Sequence, residues 1–206
     1  IYALKALHAA GALEGRQGIV AMTGDEASIG DPVEVSRAPL IAAAKRSDIA
    51  LAFEGGRMGE GTVARRGASS WWLEVTGPTG HSSGMFSSAM GSGAIYEAAR
   101  ILEGFHTELR KLPGLTANVG ILSGGATVKQ EPFAMMATGK NNIIPATAIA
   151  MGDLRAISPE QLAQAEAVMR EVVAKSRPRT QATLRVAHRY PPMAAEPRHL
   201  EVLAVL

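Results

Sequence analysis

The feature that most constrains this chain is a change of hydrophobic period, repeated in a fixed order between residues 71 and 186. Trp71 to Thr76 alternates apolar and polar residues. Ile95, Ala98, Leu102, Phe105, Leu109 and Leu112 then step by three and four over about five turns of helix, and Ala117, Val119 and Ile121 alternate again. Ile149 and Met151 continue a strand that ends near Leu154. Ser158-Pro159-Glu160-Gln161 reads as a capping box with Pro at the first helical position, and the helix it opens carries Leu162, Ala165, Met169 and Val172 on one face. Ala182, Leu184 and Val186 close the series. The order β-α-β-β-α-β predicts a ferredoxin-like split fold over residues 67–187.

The segment before it has a different order. Leu4, Leu7 and Ala10 keep a helical spacing that Gly11 or Gly15 can stop in a left-handed cap. Ile19 to Met22 is a continuous apolar run, as in a strand buried on both faces. A helix with Leu40, Ala43 and Ala44 on its face follows, and then a second such run, Ile49 to Phe53, ending in Glu54. Strand, helix, strand predicts a right-handed crossover in a parallel sheet. Gly55 to Gly67 reads as a linker. The expected fold class is therefore α/β: a fragment of a parallel-sheet domain (residues 1–66), an inserted ferredoxin-like α+β lid (67–187), and a return into the first domain (188–206). Ile1 is not an initiator Met, and helical patterns run into both ends, so the chain reads as an excerpt of a longer protein.

Composition excludes several classes. At 47% hydrophobic and 19% charged the chain has the balance of a soluble globular protein. Lys plus Arg (21) exceeds Asp plus Glu (19) by only two, and the basic residues fall in separated pairs, so no basic stripe for nucleic acid is expected. The longest apolar runs, such as Ile143 to Ile149, are broken by Pro145 and Thr147 and fall short of the ~20 residues of a membrane span. Absence of Cys removes disulfides, thiolate nucleophiles and Cys-zinc sites, and leaves the compartment open between cytoplasm and bacterial periplasm.

Glu26, just past the first buried run, and Glu54, at the end of the second, should emerge on the same rim of a parallel sheet, where ligands of such sheets bind. Two carboxylates there suit a hydrolytic base and a metal ligand, although acids after strands are commonly only solvated. His81 lies in GPTGHSSG, a strand-to-helix turn in which a solvated His is the ordinary case. Gly80 to Gly84 also matches the G-x-S-x-G nucleophile elbow, with Asp153 and His188 following in the chain order of a triad around Ser82. An elbow requires the strand to run directly into the serine, whereas Gly77 and Pro78 end the strand earlier.

Seven pieces in register, TGDE, ALAFEGG, RRG, GHSSG, GAIYEAARIL, GKNNIIP and GDLR, give nearly the whole chain a resemblance to the zinc-dependent metallopeptidase family of glutamate carboxypeptidase, succinyl-diaminopimelate desuccinylase and aminoacylase. The resemblance implies a catalytic α/β domain with a ferredoxin-like lid inserted in it, a homodimer formed through the lid, and two zinc ions. It also implies cleavage of amide bonds in small peptides or N-acyl amino acids. On that resemblance Glu26 matches the general base and Glu54 a terminal zinc ligand. His81 matches the lid histidine that the partner subunit inserts to stabilise an oxyanion. Asn142 and Arg155 match groups that hold the substrate, Arg155 by a bidentate grip on a carboxylate, with Arg65 or Arg66 assisting.

The sequence departs from the pattern at Ala27, which stands where the family has a second Glu that ligates zinc. The upstream His-x-Asp pair and the bridging Asp would precede Ile1, and the last His ligand would follow Leu206. This excerpt therefore retains one ligand, Glu54, where zinc needs three or four, and is expected to be inactive alone. Two readings compete with the hydrolase: a non-catalytic dimerisation module or degenerate relative, and a serine hydrolase with Ser82 as nucleophile.

Overall fold

A computed structural model describes residues 1–25, 30–57, 59–131 and 134–205, apart from the side chains of residues 188 and 189. The chain divides into two compact units, Ile1–Glu60 and Gly61–Leu206.

The first unit holds helices α1 (Tyr2–Ala9) and α2 (Val33–Ala44). After α1, Gly11 takes φ +69. The Gly11 and Ala12 amides donate back to the carbonyls of His8 and Leu7, the paired bonds of a Schellman stop. The two apolar runs read as buried strands do not form strands. Met22 is 82% and Phe53 92% exposed, and no strand occurs among the described residues of this unit. A parallel strand is stable only with ladder partners and cover on both faces, and the two runs do not pair with each other.

The second unit runs through β1 (Gly67–Thr76), β2 (Gly80–His81), a 3₁₀ turn (Ser82–Gly84), α3 (Gly93–Leu109), β3 (Thr116–Gly125), β4 (Thr127–Glu131), β5 (Ala134–Thr138), β6 (Ile143–Ile144), β7 (Thr147–Ala156), α4 (Pro159–Ala174), β8 (Gln181–Tyr190) and α5 (Pro197–Leu203). Its main sheet has the order β3-β7-β1-β8, with every pair antiparallel. With the short pairs β2–β6 and β4–β5 set aside, this is the expected β-α-β-β-α-β chain, with β7 and β1 central and β3 and β8 at the edges.

Alternation in β1 sends Trp71, Leu73 and Val75 into the core, where they meet Ala98, Ile101 and Phe105 of α3 and Met169 of α4. The rings of Trp71 and Phe105 meet edge to face at 5.7 Å. The Trp71 indole lies against the β7 backbone at Gly152, where a Cβ would strike both the indole and the Asn118 carbonyl; this position admits only glycine.

Two details differ from the pattern. The buried face of α3 is Ala94, Glu97, Ala98, Ile101, Phe105 and Leu109, whereas Ile95 is 45% exposed beside Gly124 of the edge strand. Ser158 caps α4 by accepting the Gln161 amide, but the Gln161 side chain accepts from Ile157 rather than Ser158, so the reciprocal half of the box is displaced by one residue. Among the described residues, no helix is long and apolar enough to cross a membrane.

Candidate functional site

His81 is positioned by a small ladder at one end of the main sheet. Beyond β1, the Gly77 amide donates to the Ala146 carbonyl, and the Thr79 hydroxyl donates to the Ile144 carbonyl at 2.8 Å. β2 then pairs with β6, Gly80 opposite Ile144 and His81 opposite Ile143, and the Ser82 amide donates to the Asn142 carbonyl at 2.9 Å. This pairing brings two residues 61 positions apart side by side: Asn142 Nδ2 lies 3.5 Å from His81 Nε2. Both side chains are exposed. His81 is also the N-cap of the 3₁₀ turn, its Nδ1 accepting the Ser83 amide at 3.2 Å, with the Ser83 hydroxyl 2.9 Å away.

The turn is buttressed from behind. Gly91, at φ +64, approaches so closely that a Cβ there would lie 2.5 Å from the Pro178 carbonyl. The next residue in that loop is locked in turn, since Arg179 Nε donates to the Ser88 carbonyl at 2.8 Å. Arg177 of the same loop reaches the carboxylate of Glu97 at 3.7 Å.

Arg155 is at the other end. It stands opposite Ala68 and Thr116, where β1 and β3 begin, and its Nε meets Asp153 Oδ2 at 3.0 Å. From Thr147, beside the His81 ladder, to Arg155 is about 26 Å along β7. Arg66 reaches this end through a 3.2 Å bond from Nη1 to the Thr116 hydroxyl, whereas the backbone of Arg65 forms a bridge with Met193. The structure thus joins His81 with Asn142, and separates both from Arg155.

The triad around Ser82 does not assemble. Asp153 is at the Arg155 end of β7, while Ser82 follows His81 at the opposite end and sits in a 3₁₀ turn after a two-residue strand rather than at a strand-to-helix elbow. The side chain of His188 lies outside the described residues.

Glu54 is exposed in the first unit, and Glu26 and Ala27 lie outside the described residues. Among the described residues no three of His, Asp and Glu group so as to hold a metal ion, and zinc needs three or four ligands. These residues do not fit a zinc pair.

Sequence reading passed over Asp25, the residue before Glu26, although it stands in the TGDE piece. Its carboxylate accepts from the Ser36 hydroxyl, from Arg37 Nη1 at 2.6 Å and from the Gly30 amide at 3.5 Å, tying the end of TGDE to α2. The Ser36 bond, helped by Gly30 and the Arg37 charge, holds the Asp25 carboxyl below its usual range against the opposing effect of desolvation.

A four-stranded antiparallel sheet in this order, two helices on one face and a histidine turn at one end define a lid of the kind described above. Residues 63–181 match the family described as the peptidase dimerisation domain of M20 enzymes, and the chain belongs to that family. A search of curated proteins finds no match.

Solved structures share the fold. Aminopeptidase PepT from Bacillus cereus is 20% identical, with TM-score 0.55 over 72% of this chain and 36% of that one. A tripeptidase from Staphylococcus aureus is 18% identical, with TM-score 0.53 over 69% and 34%. A hydantoinase/carbamoylase family amidase from Burkholderia ambifaria is 17% identical, with TM-score 0.53 over 69% and 33%. The chain spans about a third of the length of these structures.

Proposed function

We propose that this chain is the lid and part of the catalytic domain of a metal-dependent hydrolase that cleaves amide bonds in small peptides or N-acyl amino acids as a homodimer. On this reading residues 1–66 and 188–206 belong to the catalytic domain and 67–187 to the lid. The observation that carries the proposal is the placement of His81 and Asn142 at one end of the lid sheet and Arg155 at the other. No small substrate spans about 26 Å. The three residues therefore serve one reaction only if the two ends of the lid reach two different sites, and a two-fold dimer supplies this arrangement.

In the proposed roles, His81 of one protomer donates a hydrogen bond to the oxyanion formed in the partner's site, and Asn142 beside it holds the substrate. Arg155 grips a substrate carboxylate in the site of its own chain, its guanidinium oriented by Asp153. Glu26 is assigned as general base and Glu54 as a metal ligand. Zinc is part of the reading through the family resemblance, and no step here passes through it.

Dimerisation is assigned to β3, an edge strand whose Val119, Ile121 and Leu122 are 43%, 37% and 54% exposed. Beside it lies a groove of about 320 Å³ between α3 and β3, lined by Leu102, Phe105, Leu109, Ala117 and Val119 among others.

In the longer enzyme of which this chain is proposed to be part, mixing two inactive variants tests the arrangement. His81→Ala should lower turnover by about 10² to 10³, the worth of one oxyanion donor, while Ser82→Ala leaves it unchanged. Arg155→Ala should be defective on its own. If His81→Ala and Arg155→Ala chains are mixed and allowed to exchange, each mixed dimer has one site with both groups intact, and about a quarter of wild-type activity should return. No recovery from mixed dimers would remove the shared site. Full activity of His81→Ala would make His81 an ordinary solvated turn histidine, abolition by Ser82→Ala would favour the serine hydrolase, and a stable dimer that neither binds metal nor turns over would favour the dimerisation module.

A further inference from the structure

The His81 turn contains a device that decides which ring nitrogen carries the proton. A neutral imidazole has one N–H and one lone pair, and the groups around it select between the two tautomers. Here the Ser83 amide points at Nδ1 from 3.2 Å, and it cannot turn away, because the 3₁₀ turn capped by His81 fixes its direction. An N–H facing Nδ1 requires a lone pair there. The Ser83 hydroxyl, 2.9 Å from the same nitrogen, rotates freely and adapts to either tautomer, so the amide decides. The proton is left on Nε2, facing outward.

Nε2 and Asn142 Nδ2 are 3.5 Å apart, too far for a good hydrogen bond, and both are then donors. They lie side by side, so that one oxygen placed between them accepts from both. The backbone keeps this spacing, since the Ser82 amide is bonded to the Asn142 carbonyl.

We propose that Ser83 is a positioning residue whose backbone N–H locks His81 as the Nε2–H tautomer, so that Nε2–H and the Asn142 amide form a two-donor cradle for one oxygen of a carboxylate or oxyanion. The identity of that oxygen as a reaction oxyanion rests on the hydrolase reading; the lock itself does not. A ring free to exchange tautomers offers the donor only part of the time, and its apparent affinity falls by that fraction.

The test is nuclear magnetic resonance of protein labelled with ¹⁵N-histidine, with the His81 ring assigned by its loss in His81→Gln. Wild type and Ser83→Ala, which keeps the amide, should show a single Nε2–H tautomer. Ser83→Pro, which lacks the N–H, should show the mixture of a free imidazole. A wild-type ring that is mixed or protonated on Nδ1 overturns the lock, as does an unchanged ring in Ser83→Pro. Should Ser83→Pro not fold, scalar coupling between the wild-type Ser83 amide nitrogen and Nδ1 decides: its presence supports the lock and its absence overturns it.

Titration with acetate, the probe anion, should shift the His81 Nε2 and Asn142 side-chain signals together, and movement of one alone overturns the cradle. In turnover of the longer enzyme that the hydrolase reading implies, Ser83→Pro should lose roughly 2- to 10-fold. A locked ring in a protein that fails the mixed-dimer test would sink the hydrolase reading while leaving the lock standing.

Discussion

A carboxylate with no exposed surface, Glu97, sits on the inner face of α3 among Ala94, Ala98 and Ile101. It is held by Arg100, whose Nη2 and Nε lie 2.6 and 3.0 Å from its oxygens, and more distantly by Arg177. The bond to Glu97 pushes the Arg100 guanidinium further above its usual value, against desolvation. Arg100→Ala would leave a buried charge with Arg177 at 3.7 Å as its remaining described partner. A loss of about 3 to 5 kcal/mol in urea unfolding is expected, with much of it regained when Glu97→Leu is added. A loss within ordinary surface values, about 0.5 kcal/mol, would show that Arg177 compensates. The hydrophobic period concealed this residue, because a charge is counted on the outer face unless its partner is known. The same limit explains why the sequence, through its resemblance, names His81 and Asn142 as separate candidates but not as neighbours: a ladder of two residues has no period to read.

Among the elements, the long strands and helices of the second unit were legible because each buries one face and so writes its own period into the sequence. The runs at 19–22 and 49–53 misled for the complementary reason: a continuous apolar run specifies burial but not a partner, and a strand without a ladder does not form. The link between TGDE and α2 is electrostatic and leaves no periodic trace. It does carry a pH signature. Because the folded Asp25 carboxyl titrates below its usual 3.8, its contribution is fully present above that value and is lost as pH falls through the lower, folded value. Protection of the Gly30 amide from exchange should persist at pH 5 and disappear in that acid range. In Asp25→Ala it should be weak throughout, and equal protection in both proteins would disprove the tie.

At the scale of the whole molecule the prediction is association. An apolar strand at the edge of a sheet is a liability that a second copy can cover, and a two-fold contact is self-complementary. Sedimentation should find a dimer, and Ile121→Lys should raise its dissociation constant at least tenfold, about 1.4 kcal/mol, while the circular dichroism of the folded chain stays unchanged, because Ile121 lies on an edge strand and is 37% exposed. A wild-type monomer at tens of micromolar would contradict this. The architecture at this scale followed from the order of periods, whereas the distribution of the candidate groups between two ends of one sheet required the register of β7.

The bridge between Arg65 and Met193 has one further consequence, for the polymer rather than the site. It holds the two ends of the β-α-β-β-α-β unit one strand spacing apart, about 4.8 Å. To any chain continuing on both sides, this long excursion behaves as a very short loop once folded, because the entropy of closure depends on the gap to be spanned. Such a unit can be gained, lost or exchanged by a host fold with little penalty to the host's own folding.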